Sequence, residues 1–160
     1  MIALPTALFP GTFDPITLGH LDILERACAM FDRVVVAVGA RHDKQTLFSA
    51  AERVALIEKS AAHLRGVEVE EFDGLIVKYA QSKGATVLVR GIRNSLDFAY
   101  EQQMAVTNRR LAPEIDTVLL AADPVQAMLS SSLIKEILKA GGSVDEFVPA
   151  AVSAALGARG

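Results

Sequence analysis

This chain of 160 residues has one cysteine, no tryptophan and two tyrosines. The lone Cys28 excludes an intrachain disulfide framework and a zinc site built from several cysteines, and it suits a reducing compartment. So few large aromatics leave little surface on which a flavin could stack, which weighs against a flavodoxin-like redox protein. No apolar run approaches the roughly 18 residues of a membrane span. Met1 to Phe9 is apolar, but the first basic residue is Arg26, so the positive region that opens a secretory leader is missing. Neither charge dominates. The 19 acidic and 16 basic side chains give a formal charge of −3, which argues against non-specific binding to nucleic acid or to an anionic membrane. No segment is of low complexity and none repeats. With 51% hydrophobic residues the chain can close a core, which excludes disorder. The expectation is a soluble, cytoplasmic protein with one domain over residues 1–160.

The apolar residues fall into two alternating kinds of segment. Short runs rich in β-branched residues predict strands at Thr6–Phe9, Val34–Val38, Val67–Phe72, Thr86–Val89 and Thr117–Ala121; their nearly continuous apolar character predicts cover on both faces. Amphipathic stretches between them predict helices at Leu18–Phe31, Ala50–Leu64, Leu75–Lys83, Ser95–Leu111 and Ser131–Lys139. In the first helix, Leu21, Leu24, Ala27, Cys28 and Phe31 recur at helical spacing. A short terminal helix over Pro149–Leu156 fits proline at a first helical position. Five alternations of strand and helix predict an α/β fold, a doubly wound five-stranded parallel sheet of Rossmann-like type. Such sheets bind ligands beyond the carboxyl ends of their strands, so the strand ends carry the functional information.

The first strand end is Phe9-Pro10-Gly11-Thr12-Phe13-Asp14-Pro15-Ile16-Thr17-Leu18-Gly19-His20. Thr17 is a plausible N-cap, which puts Gly19 and His20 in the first helical turn, where unpaired N–H groups and the helix dipole attract phosphate. Gly19 would let a ligand approach the backbone. A lone histidine in such a turn is more often a surface residue, so it is the whole string that matters: Pro-Gly-Thr-Phe-Asp-Pro followed by Thr-x-Gly-His resembles the signature of the nucleotidyltransferase superfamily.

The fourth strand runs into Arg90-Gly91-Ile92-Arg93, two phosphate-matching forks beside a helix start capped by Asn94 or Ser95. Arginines in a loop often serve only solubility. The longer string from Arg90 to Leu111, however, resembles the matching segment of the phosphopantetheine adenylyltransferase family. At the fifth strand end, Gln126-Ala127-Met128-Leu129-Ser130-Ser131-Ser132 leads into a helix. Serines cap helices everywhere, yet this string resembles that family's Ile-Ser-Ser-Ser motif, with Leu129 in place of isoleucine and with Gln126 and Met128 where an aromatic is usual.

The resemblance covers essentially the whole chain, with three motifs in order. It implies transfer of AMP from ATP to 4′-phosphopantetheine, giving dephospho-coenzyme A and pyrophosphate by in-line attack. No nucleophile–base pair stands out in the sequence, in keeping with a phosphate acting as its own nucleophile. The roles it implies are catalytic for His20, Thr12, Lys44 and Arg93. The acceptor side would be lined by Thr12, Lys44, Ile76 and Arg90, with Arg41 competing with Lys44 as the loop's phosphate ligand. The ATP side would be lined by Thr12, Phe13, His20, Gly91, Arg93, Glu101, Gln126, Ser130, Ser131 and Ser132. It also implies Mg²⁺ arriving with ATP, feedback inhibition by coenzyme A, and a homohexamer. His42 and His63 are expected at the surface, and Cys28 in packing. Cytidylyltransferase and nicotinamide-mononucleotide adenylyltransferase readings are disfavoured by the Arg90–Leu111 string. A non-catalytic ATP-binding module, such as a universal stress protein, fits the size but wants a glycine-rich loop where Arg90-Gly91-Ile92-Arg93 stands.

Overall fold

A computed structural model of the chain describes residues 4–40 and 45–159. Its elements alternate as the pattern predicts: β1 (Thr6–Gly11), α1 (Leu18–Met30), β2 (Val34–Gly39), α2 (Ala50–Ser60), β3 (Val67–Phe72), α3 (Ile76–Ser82), β4 (Ala85–Ile92), α4 (Ser95–Leu111), β5 (Asp116–Ala121), α5 (Ser131–Lys139) and α6 (Ala150–Gly157). The five strands form one sheet in the order β3-β2-β1-β4-β5, and every neighbouring pair is parallel. The chain builds outward from β1 through β2 to β3, then returns to the other side of β1 for β4 and β5. The crevice between the carboxyl ends of β1 and β4 is therefore the topological switch point.

Side chains alternate across the strands and divide the core in two. Ala7 and Phe9 of β1 and Val34, Val36 and Val38 of β2 pack against Ile23, Leu24 and Ala27 of α1, Leu56 and Ile57 of α2, Ile134 of α5 and Val152 of α6. Leu8, Val35, Ala37 and Leu88 face the other way, onto Val77 and Ala80 of α3 and the Ala112–Ile115 turn. Cys28 is half-buried beside the first cluster.

Several boundaries and faces differ from expectation, each for a local reason. Cover on both faces holds for β1 and β2, but β3 and β5 are the sheet edges and keep partly exposed side chains. On β3, Glu68 is held by Arg33, and Glu70 by Lys83 and Tyr79, so charge marks this open edge. Helix α2 stops at Ser60 rather than Leu64, because the chain tightens into a turn closed by Leu64 N–H to the Ala61 carbonyl (2.9 Å). Pro149 is the N-cap of α6 rather than its first residue. In α1 it is Ile23, not Leu21, that is buried, because Ile23 packs beneath Gly91 of β4 and joins the core cluster.

Candidate active site

The turn after β1 is built by crowding. A Cβ on Gly11 would stand 2.9 Å from the Phe13 ring. Phe13 itself adopts φ 49°, a left-handed conformation that costs a non-glycine residue energy and is tolerated where surroundings over-determine it. Its buried ring makes edge contacts with Phe9 (5.2 Å) and His20 (5.1 Å). Asp14–Pro15 is a cis peptide. The chain then enters α1 through a capping box. Thr17 Oγ1 accepts from the His20 amide (3.3 Å), and the His20 ring accepts from the Thr17 amide at Nδ1 (3.0 Å). Position N3 of such a box usually holds glutamate or glutamine; here it holds a histidine.

That substitution fixes the chemistry of the ring. A backbone N–H can only donate, so Nδ1 must be the acceptor and the ring proton sits on Nε2. Among the described residues Nε2 has no partner, and His20 lines a cavity at the switch point. Burial, with the Arg93 and Arg90 guanidiniums nearby, lowers the His20 pKa from 6.5 to about 4. At neutral pH, His20 is thus a neutral donor with one fixed N–H. The unfolded chain titrates near 6.5, so below that pH it binds a proton the folded chain refuses. The contribution of His20 to stability is therefore complete above about pH 6.5 and is lost as pH falls toward about 4. Urea unfolding of the wild type and of His20→Gln at pH 7.5 and 5 checks this: only the wild type should carry the histidine part of the loss. Turnover should show no limb from His20 titration between pH 5 and 8.

Two arginines face His20 across the crevice, and each is aimed by a carboxylate. Arg90 Nε lies 3.0 Å from both carboxylate oxygens of Glu101, Nη2 donates to Oε1 (2.8 Å), and Nη1 donates to the Pro10 carbonyl (2.6 Å). Arg93 Nε donates to Asp97 Oδ2 (2.9 Å), and Nη1 to the Leu129 carbonyl (3.2 Å). The Arg93 hydrogen bond is the chief reason the Asp97 carboxyl titrates below its usual value. These pairings hold the forks in place before a ligand arrives and partly neutralise them.

The crevice holds two cavities, each of about 280 Å³. The first is lined by Thr12, Phe13, His20, Gly91, Arg93, Gln126, Ser130 and Ser131, with Ile23 on its wall. The second is lined by Gly39, Phe72, Ile76, Met104 and Asn108. Thr12, Arg90 and Glu101 border both, so the Arg90–Glu101 pair is the partition. The sequence places Glu101 by resemblance on the ATP side; the structure adds that its carboxylate clamps Arg90. Ser130 is the N-cap of α5, its Oγ accepting from the Leu133 amide (3.1 Å), and the Ser131 hydroxyl donates to the Pro15 carbonyl (2.8 Å). The start of α5 therefore offers an anion the Ser130 O–H, which among the described residues is left free to donate, and the first-turn amides other than that of Leu133. Ser132 is exposed and lies outside the cavity lining. Gly19 lines the first cavity and also makes room for protein: a Cβ there would stand 3.3 Å from the Gln126 carbonyl.

Arg41, His42 and Lys44 lie outside the described residues. His63 is exposed and pairs with Glu25 (2.9 Å). Sequence reasoning missed Asp97, Asp14, Arg53 and Lys135. Two left a signal: Asp14 stands inside the Thr-Phe-Asp-Pro string of the first strand end, and Asp97 stands four residues after Arg93 on a helix start. Among the described residues no three His, Cys, Asp or Glu side chains cluster as metal ligands, and no helix is long and apolar enough to cross a membrane.

Residues 8–137 match the protein family described as cytidylyltransferase-like. The chain is 53% identical over 146 residues to a phosphopantetheine adenylyltransferase of Synechococcus sp. strain JA-2-3B'a(2-13), covering 91% of this chain and 92% of the relative. It is 52% identical over 153 residues to the enzyme of that name from Levilactobacillus brevis, covering 96% and 95%. Among solved structures it resembles one described as a nicotinate-nucleotide adenylyltransferase from Vibrio parahaemolyticus (TM-score 0.68, 17% identity, 92% of this chain and 88% of that one). It also resembles a bifunctional NMN adenylyltransferase/ADP ribose pyrophosphatase from Francisella tularensis (TM-score 0.67, 15% identity, 91% and 44%). At such identities the two structures speak for the fold.

Proposed function

This chain belongs to the phosphopantetheine adenylyltransferase family, and from that premise we infer an adenylyltransferase of coenzyme A biosynthesis, moving AMP from ATP to 4′-phosphopantetheine. The observation that carries the chemistry is the meeting of a neutral His20, with one N–H free, and two pre-aimed arginines at the switch point. Such a site holds and stabilises anions without supplying a nucleophile, which suits attack by the acceptor's own phosphate.

In this reading ATP occupies the first cavity and the pantetheine arm the second, along Ile76. The acceptor phosphate lies at the partition, held by Arg90 together with Lys44 or Arg41. It attacks the α-phosphorus, and pyrophosphate leaves toward Arg93 and the amide end of α5. Thr12 and the His20 Nε2–H meet the α-phosphate oxygens, where charge grows in the transition state. Two polyanions repel each other, so the cations that gather them come from different strand ends. Gln126 lies on the wall of the ATP cavity.

Mg²⁺ would accompany ATP and offset phosphate charge. The donor set fits a metal carried on the nucleotide's phosphates, since Glu101 and Asp97 are committed to arginines. Action in the cytoplasm, assembly as a homohexamer and feedback by coenzyme A are also part of the proposal; the family resemblance supports them, and the single cysteine supports the first.

The test is pyrophosphate release from purified protein with ATP, Mg²⁺ and 4′-phosphopantetheine. Release that needs both substrates and yields dephospho-coenzyme A is expected. Tight ATP retention with no release would instead indicate a non-catalytic nucleotide module. Release with CTP but not ATP would point to a cytidylyltransferase.

A further inference from the structure

Arg53, on α2, is 2% exposed, and among the described residues no carboxylate pairs with it. A buried guanidinium without a counter-ion is costly unless hydrogen bonds satisfy it. Among the described residues, its side-chain hydrogen bonds go to backbone carbonyls: Nη1 donates to Thr12 (2.7 Å) and Gly39 (3.0 Å), and Nε donates to Phe48 (3.2 Å). The three carbonyls belong to three different places. Thr12 follows β1, Gly39 ends β2, and Phe48 leads into α2. Where parallel strands part, their last carbonyls lose ladder partners, and one planar fork reaches across that gap.

Asp14, fully buried, works on the same junction from the other side. Its carboxylate accepts from the amides of Leu47 (2.8 Å) and Phe48 (2.9 Å), and it pairs with Lys135 of α5 (2.8 Å). The backbone of Phe48 is thus gripped at its N–H by an anion and at its C=O by a cation. Both side chains lie behind the site rather than in it; neither lines either cavity. Yet Gly39 borders the second cavity and Thr12 borders both.

We propose that Arg53 is a positioning residue for the acceptor: by binding Thr12, Gly39 and Phe48 to one guanidinium it sets the gap between the ends of β1 and β2, and with it the shape of the second cavity. This inference rests on the functional reading above, which places 4′-phosphopantetheine in that cavity. A methionine of similar length fills the space but makes none of the three bonds. A lysine keeps the charge but lacks the planar fork.

The experiment compares Arg53→Met, Arg53→Lys and, as a control one turn further along the same helix, Leu56→Ala, which opens a core defect without removing any of the three bonds. Misplacing a binding group by a fraction of an ångström is enough for on the order of 10-fold. Arg53→Met should therefore raise KM for 4′-phosphopantetheine on the order of 10-fold or more, while KM for ATP moves less than about 3-fold. Arg53→Lys should fall between wild type and Arg53→Met in the same acceptor-only direction, and it carries the test if Arg53→Met does not fold. Leu56→Ala should lower the melting temperature and leave the ratio of the two KM values at its wild-type level. Equal rises in both KM values, or a loss of melting temperature alone matching Leu56→Ala, would overturn the proposal. Amide hydrogen exchange provides a readout independent of turnover, with faster exchange at Leu47 and Phe48 expected in Arg53→Met, or Arg53→Lys in its place, than in Leu56→Ala. If wild type forms no dephospho-coenzyme A, the functional reading fails, and unchanged exchange at these two amides overturns the positioning role separately.

Discussion

His20→Gln is expected to keep the fold and its melting temperature while cutting turnover on the order of 10²–10³-fold. The reasoning rests on two jobs done by one ring. As the N3 residue of the α1 capping box, His20 accepts the Thr17 amide at Nδ1. Glutamine is an ordinary occupant of that position and can accept the same bond. As a donor into the cleft, His20 offers Nε2–H from a rigid ring braced against Phe13. A glutamine whose oxygen is turned back to the cap cannot put its NH₂ group at the same point. His20→Ala should lose as much turnover and should also lose stability, of order 1 kcal/mol for an unmade cap. Thermal melts and steady-state kinetics on the two variants separate the roles. A His20→Gln enzyme within about threefold of wild-type turnover would remove the phosphate-stabilising role from this ring.

The second large effect lies at the partition. Arg90→Ala should raise KM for 4′-phosphopantetheine by roughly 10- to 100-fold, the equivalent of about 1.5–3 kcal/mol for a hydrogen bond to a charged group. Glu101→Gln leaves Arg90 its bond to the Pro10 carbonyl but releases the bidentate clamp. Arg90 is a third exposed, so the stability loss should be about 1–3 kcal/mol, below that of removing one partner from a fully buried pair. The double variant should be clearly non-additive, because Glu101 acts on the acceptor through Arg90. Additive losses of binding would show that Glu101 touches substrate on its own account.

The sheet, its helices and the three strand ends were legible because each rests on local pattern. Runs of valine and leucine make strands, and Thr17 and Asn94 make caps whatever lies across the molecule. The pairings that aim the site were not legible. Arg90 finds Glu101 eleven residues on, and Asp14 finds Leu47 and Phe48 across more than thirty. Nothing in the alternation of apolar and polar residues encodes which carboxylate meets which cation. Arg53 is the sharpest case: in sequence it is an ordinary charge on an amphipathic helix, and only the folded junction removes it from water. Ile23 was missed for a related reason, since helical spacing identifies a face but not which residue at its margin packs inward. The histidine was found, but its tautomer required the Thr17 amide to be seen.

Every described group assigned to the chemistry stands at one end of the sheet. The turns at the opposite end, where Gly66 and Gly84 adopt positive φ and lead into β3 and β4, are separated from the cleft by the length of a strand, roughly 20 Å at about 3.3 Å per residue. For practical handling the molecule therefore has a front and a back. A surface tether or fluorescent reporter attached through those rear turns would leave the mouth of both cavities facing open solution, whereas attachment near Met128 or Leu75 would obstruct it.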